Sequence, residues 1–160
     1  MLLKNKTAVV TGCNRGIGKK ILEVFSANGA TVFACVRNIT EEFKSNIEEI
    51  EKNTKNKIIP IQFDLSNESQ IKEATNSILS SNKSIDILVN NAGWDKAARF
   101  LDTEPAFWEK VINVNYIGPL NMCHIIASGM AERGSGKVIN ISSDAGRVGS
   151  SGEAVYAGCK

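Results

Sequence analysis

A chain of 160 residues with 42% hydrophobic content can bury one sizeable core, and its length suits a single domain. The formal net charge of +2 comes from acids and bases mixed along the chain, which leaves no basic stripe for nucleic acid or an anionic membrane. No long apolar run follows a basic start, and the uncharged stretches are broken by Gly, Asn and Ser, which argues against a signal peptide or membrane span and points to the cytoplasm. Cys13, Cys35, Cys123 and Cys159 are widely spaced, with no Cys-x-x-Cys and a single histidine, His124. Four separate reduced thiols and no metal site are expected.

The apolar run Ala8-Val9-Val10 ends at Thr11-Gly12 and gives way to Ile17, Ile21, Val24 and Phe25 at helical spacing until Asn28-Gly29. That pattern predicts strand, turn and helix. A second β-rich run, Thr31 to Val36, leads into a charged, helix-prone segment from Glu41 to Lys52, and Ile58, Ile59 and Ile61 flank Pro60 as a third strand. Ser66 is expected to cap the next helix, which carries an apolar stripe as far as Leu79, and Ile85 to Val89 supplies a fourth strand. Thr103 to Glu132 then reads as helical and Lys137 to Ile141 as a fifth strand. Connections too long for hairpins imply parallel strands covered by helices on both faces, an α/β doubly wound sheet. No internal repeat interrupts residues 1–160.

Chemistry gathers where strands end. Thr11-Gly12-Cys13-Asn14-Arg15-Gly16-Ile17-Gly18 falls where the first strand turns into the first helix, and there unpaired N–H groups and the dipole can hold a pyrophosphate. Gly12 allows the tight turn, Gly16 the approach of phosphates and Gly18 the packing of helix on strand. The second strand ends as Cys35-Val36-Arg37-Asn38, without the carboxylate that binds the 2′-hydroxyl of NAD. Arg37 and Arg15 are instead suited to the 2′-phosphate of NADP. Ser143 follows the fifth strand, at the carboxyl edge where ligands of open α/β sheets bind, with Ser142 as a competitor. Tyr156 and Lys160 share one helix face at i, i+4. Phenols titrate near about 10, and an ammonium beside one favours proton exchange closer to neutrality. Asn115 stands inside a helix at a cost in propensity.

The Gly-x-x-x-Gly-x-Gly spacing, Asp64-Leu65 after the third strand, Asn90-Asn91-Ala92-Gly93 after the fourth, Asn115, Ser143 and the Tyr156-x-x-x-Lys160 pair occur in an order that resembles the short-chain dehydrogenase/reductase family. The resemblance implies a Rossmann-like NAD(P)-binding domain over 1–160, incomplete at its carboxyl end. It also implies hydride exchange between a nicotinamide cofactor and a ketone or secondary alcohol, and Arg37 with Arg15 favours NADP(H) over NAD(H) as that cofactor. By the same resemblance Asp64 bonds the adenine ring and Asn91, Ala92 and Gly93 lie against the cofactor. Asn115 bends the long helix and holds a water, Ser143 polarises the carbonyl, and Tyr156 is the acid or base. Lys160 tunes Tyr156 and bonds the nicotinamide ribose. The interval to Tyr156 selects Ser143 over Ser142. Gly12, Asn14, Arg15, Gly16, Ile17, Gly18, Arg37, Asp64, Leu65, Tyr156 and Lys160 complete the expected cofactor set.

The general layout resembles 3-oxoacyl thioester reductases, whereas Gly93-Trp94-Asp95 and the stretch Gly149 to Tyr156 resemble NAD-dependent alicyclic hydroxyacyl-CoA dehydrogenases. Trp94 is a candidate pocket wall. Arg133 reads as a solvated helix-end residue, with an acidic carrier protein as its alternative contact. The expected partner is a small carbonyl or acyl-thioester substrate, the parent protein is expected to be a homodimer or homotetramer, and the isolated chain weakly active or inactive. A nucleotide-binding fragment without catalysis is the alternative from another class.

Overall fold

The computed structural model describes residues 1–81 and 84–160. Among them five strands, β1 (Thr7–Thr11), β2 (Thr31–Val36), β3 (Ile58–Gln62), β4 (Ile87–Asn90) and β5 (Lys137–Asn140), pair in parallel in the order β3-β2-β1-β4-β5. The helices are α1 (Gly16–Ala27), α2 (Glu41–Thr54), α3 (Glu68–Ser81), α4 (Pro105–Ile112), α5 (Gly118–Glu132), α6 (Asp144–Val148) and α7 (Ala154–Cys159). This is the expected Rossmann-like α/β arrangement. The chain steps outward from β1 to β2 to β3 and then returns to set β4 on the other side of β1. At that reversal the loops leaving the strand ends diverge, and a crevice opens between them.

The inner strands β1, β2 and β4 are buried on both faces. Ala8, Val10, Val32, Ala34 and Val36 pack with Leu22, Phe43 and Ile47 from α1 and α2. Val9, Phe33 and Leu88 point the other way, onto Ile71 and Ile78 of α3 and Met122 and Ile126 of α5. Double coverage is why the central strands read as unbroken apolar runs. Pro60 is tolerated because β3 is an outer strand, where a missing N–H breaks no inner ladder. The other outer strand, β5, is exposed throughout, with Val138 and Ile139 showing 39% and 41% of their surface.

Two local expectations change. Ser66 does not cap α3, because its amide and hydroxyl both donate to Asp64 Oδ1, at 2.8 and 2.7 Å. Asn67 is the residue just before the helix, and its Oδ1 accepts from the Gln70 amide at 3.1 Å. The helical stretch predicted from Thr103 starts instead at Pro105, after a 3-10 turn at Phe100–Asp102, and is divided by a π turn at Asn113–Ile117. Arg133 donates to the Ile85 carbonyl, which ties the end of α5 to the amino-terminal approach of β4, the edge of the sheet away from the crevice.

Candidate active site

The crevice at the strand ends is a cleft of about 640 Å³, within the range of about 300–1,000 Å³ usual for small-molecule sites. Its lining includes twelve of the residues expected from sequence: Gly12, Asn14, Arg15, Gly16, Ile17, Gly18, Arg37, Asp64, Leu65, Asn91, Ala92 and Gly93. α1 begins in this cleft with Arg15 as an extended N-cap that makes no side-chain cap bond. Its first amides are therefore left for an anion rather than for a capping side chain.

Close approach explains the glycines. Gly12 has φ +72° and a Cβ there would lie 2.8 Å from Ala92 Cα, while a Cβ on Gly18 would drive into the Gly12 carbonyl. The first turn thus touches both its own helix and the loop after β4. Thr11, which sequence reasoning passed over as a site residue, joins these parts. Its Oγ1 accepts from the Asn91 and Ala92 amides at 3.1 and 3.0 Å and donates to the Val89 carbonyl at 3.4 Å. Asn91 Nδ2 returns two bonds, to the Thr11 and Gly12 carbonyls at 3.0 and 3.1 Å. Asn90 donates to Asn140 Oδ1 at 2.8 Å and so links β4 to β5.

The corner of the cleft at the end of β2 carries charge. Arg37 is exposed and lines it. Burial works against the Asp64 carboxylate, but the Ser66 hydroxyl and amide and the charges of Arg37 and Lys110 outweigh it and hold the carboxyl below its ordinary value. Burial pushes the Cys13 thiol up to about 12 and the Cys35 thiol well above its usual range, so neither supplies a thiolate nucleophile near neutral pH. Among the described residues no group of three or more His, Cys, Asp or Glu is placed to hold a metal ion.

Asn115 lies in the π turn and is 5% exposed. Its Oδ1 accepts from the Trp94 amide at 3.1 Å, and its Nδ2 donates to the Trp94 and Val111 carbonyls at 2.6 and 2.8 Å. The apparent cost of an Asn inside a helix is offset by this clamp on the loop after β4. Lys160 Nζ donates to the Ile141 carbonyl at 2.7 Å and lies 5.8 Å from the Tyr156 ring centroid. Burial lowers its ammonium from the ordinary lysine value, and the charge of Cys159 acts in the opposite sense. A Cβ on Gly93 would stand 3.0 Å from Asn115 Oδ1 and 3.7 Å from Lys160 Nζ. Gly93, at the cleft wall, is thus the point where Asn115 and Lys160 meet.

The two serines differ. Ser142 Oγ donates to the Lys160 carbonyl at 2.8 Å, whereas Ser143 Oγ accepts from the Ala145 amide at 3.2 Å as the cap of α6. An accepting Ser143 keeps its proton to give. Ser143, Asn115, Tyr156 and Lys160 are not among the lining residues of the cleft; Asn115 and Lys160 reach its wall at Gly93. Trp94, expected as a wall of the substrate pocket, lines this cleft, together with Lys110, Val114 and Phe63, which sequence reasoning missed. The i, i+4 pair of Lys110 and Val114, ending one residue before Asn115, was the available signal.

A doubly wound sheet with an uncapped helix start at its switch point defines a nucleotide-binding fold. A family model described as short chain dehydrogenase matches residues 6–160. Dehydrogenase/reductase SDR family member 7B of Danio rerio is 32% identical over 163 residues, covering 99% of this chain and 52% of that protein. The 3-oxoacyl-[acyl-carrier-protein] reductase FabG of Thermotoga maritima is 32% identical over 160 residues, covering 100% of this chain and 64% of that protein. The crystal structure of a metagenomic short-chain oxidoreductase in complex with NADP superposes with a TM-score of 0.94 at 31% identity, covering 100% of this chain and 72% of that one. The chain belongs to the short-chain dehydrogenase/reductase family, and it spans between half and two thirds of the length of these curated relatives. Among the described residues no helix is long and apolar enough to cross a membrane.

Proposed function

We propose that this chain carries the cofactor cleft and catalytic residues of an NADP(H)-dependent oxidoreductase acting on a ketone or secondary alcohol, with a 3-oxoacyl thioester as the substrate class. The observation that carries the reading is the convergence on Gly93, where the cleft wall meets the Asn115 amide and the Lys160 ammonium. Arg37 in place of a carboxylate at the end of β2 supports the phosphorylated cofactor. The thioester class is supported by the reductase named among the relatives.

The glycine turn, Arg37 and the loop after β4 would hold a reduced nicotinamide cofactor, which would supply hydride to a carbonyl carbon. Ser143 donates its hydroxyl proton to the carbonyl oxygen as a hydrogen bond, its own oxygen being oriented by the Ala145 amide. Tyr156 gives its phenolic proton to that oxygen in reduction and takes it back in oxidation. Lys160, fixed by the Ile141 carbonyl, supplies the positive charge beside Tyr156 and reaches toward the nicotinamide ribose. Both Nδ2 protons of Asn115 and one acceptor site of its Oδ1 are engaged with Trp94 and Val111, and a water of the proton path is assigned to its main-chain carbonyl. Four residues on stands Pro119, which has no N–H to occupy that carbonyl in the α-helical manner.

Steady-state reduction of a 3-oxoacyl thioester by NADPH, followed by loss of nicotinamide absorbance in the intact protein, tests this. Tyr156→Phe is expected to lower kcat by roughly 10²–10⁴-fold while leaving NADPH binding in place. A variant with unchanged kcat contradicts the assignment of Tyr156.

A further inference from the structure

Lys110 belongs to none of the motifs that the sequence singles out, yet it lines the cleft. Val114, one turn later, lines it too, and Gly118, a further turn on, packs against the Leu65 carbonyl. One face of α4 and the π turn therefore forms the cleft wall beside Asp64 and Leu65. The Lys110 ammonium sits over the Trp94 indole, 3.9 Å from its centroid; its charge acts on the Asp64 carboxylate, but among the described residues it makes no ion pair within 4.0 Å.

This resting place is a weak one. A cation on an exposed aromatic face is held less firmly than one in a charge-assisted hydrogen bond to a phosphate, and the four-carbon stem lets the ammonium swing off the ring. Trp94 follows Ala92 by two residues, and Ala92 is in contact range of the Gly12 turn. An ammonium over Trp94 is thereby held on the loop that touches the glycine turn. The lining otherwise offers the cations Arg15 and Arg37 against one carboxylate, Asp64.

We propose that Lys110 is a nucleotide-binding residue, held on Trp94 in the open cleft, that transfers its ammonium to the diphosphate of the bound dinucleotide and clamps it from the α4 side. The inference rests on the nucleotide reading above and adds a contact outside the glycine turn. Because the diphosphate is common to both cofactors, Lys110 contributes to affinity without selecting between NADP(H) and NAD(H), unlike Arg37.

Titration of the intact protein and of Lys110→Met with ADP, NADH and NADPH tests it. ADP carries the diphosphate but neither nicotinamide nor 2′-phosphate, and its binding is followed by indole emission. Loss of the ammonium is expected to weaken all three by a similar factor, about tenfold, with a shallower dependence on salt, and Lys110→Arg is expected to restore most of the affinity. Unchanged ADP affinity in Lys110→Met overturns the proposal in favour of packing against Trp94. Loss confined to NADPH overturns it in favour of a 2′-phosphate contact. Failure of the unsubstituted protein to bind any of the three overturns the nucleotide reading itself, a result visible before any variant is made.

Discussion

Gly18 shows most sharply how single atoms shape the cleft. A methyl group there meets the Gly12 carbonyl and the Asn91 amide, both parts of the network that Thr11 holds together. Gly18→Ala is expected to displace the turn and abolish measurable cofactor binding, while the sheet, whose core lies elsewhere, stays folded; retained cofactor affinity with unchanged circular dichroism contradicts this. The glycine spacing, Arg37, Asp64 and the Asn-Asn-Ala-Gly turn are legible in the sequence, because each stands at a strand end that hydrophobic periodicity already marks. Thr11, Lys110 and Val114 are not. Thr11 reads as a strand residue, and its value comes from amides some eighty positions away. Lys110 reads as one more exposed lysine until tertiary packing brings Trp94 beneath it.

Elements are legible by type more than by boundary. All five strands and the alternation with helices follow from apolar runs and turn residues, but the π turn does not, because one extra residue in a turn barely disturbs a helical pattern. Its physical cause is Asn115, whose side chain takes the Val111 carbonyl and clamps Trp94. Asn115→Ala leaves buried backbone groups without partners, which is expected to lower stability by about 1–3 kcal/mol and to loosen the loop that carries Gly93 and Trp94. Denaturant melts combined with cofactor titration check both parts. Full stability in this variant contradicts the clamp. The α3 cap shows a similar limit: Ser66 and Asn67 are both good capping residues, and only the demand of Asp64 for the Ser66 donors decides between them.

Across the molecule, the far edge of the sheet is held by a carboxylate network. Asp86 accepts from the Thr7 amide at 2.9 Å and pairs with Lys6 at 3.0 Å. Burial opposes its charge, but the Thr7 amide, Lys6 and Arg133 outweigh that and hold its carboxyl below the ordinary 3.8. A depressed folded value means the stabilisation is present above 3.8 and is lost as pH falls through the folded value. Asp86→Asn is therefore expected to melt below the parent protein at neutral pH, by a margin that shrinks with acidification. A margin constant with pH contradicts the assignment.

The central claim is that the cleft at the switch point binds a phosphorylated nicotinamide cofactor through the start of α1 and Arg37. Titration with NADPH and NADH, following cofactor fluorescence in the protein and in Arg37→Asp, tests it most directly. The account predicts tighter binding of NADPH than of NADH, with the preference lost or reversed in Arg37→Asp. Equal affinities that the substitution leaves unchanged, or binding of neither cofactor, would contradict it.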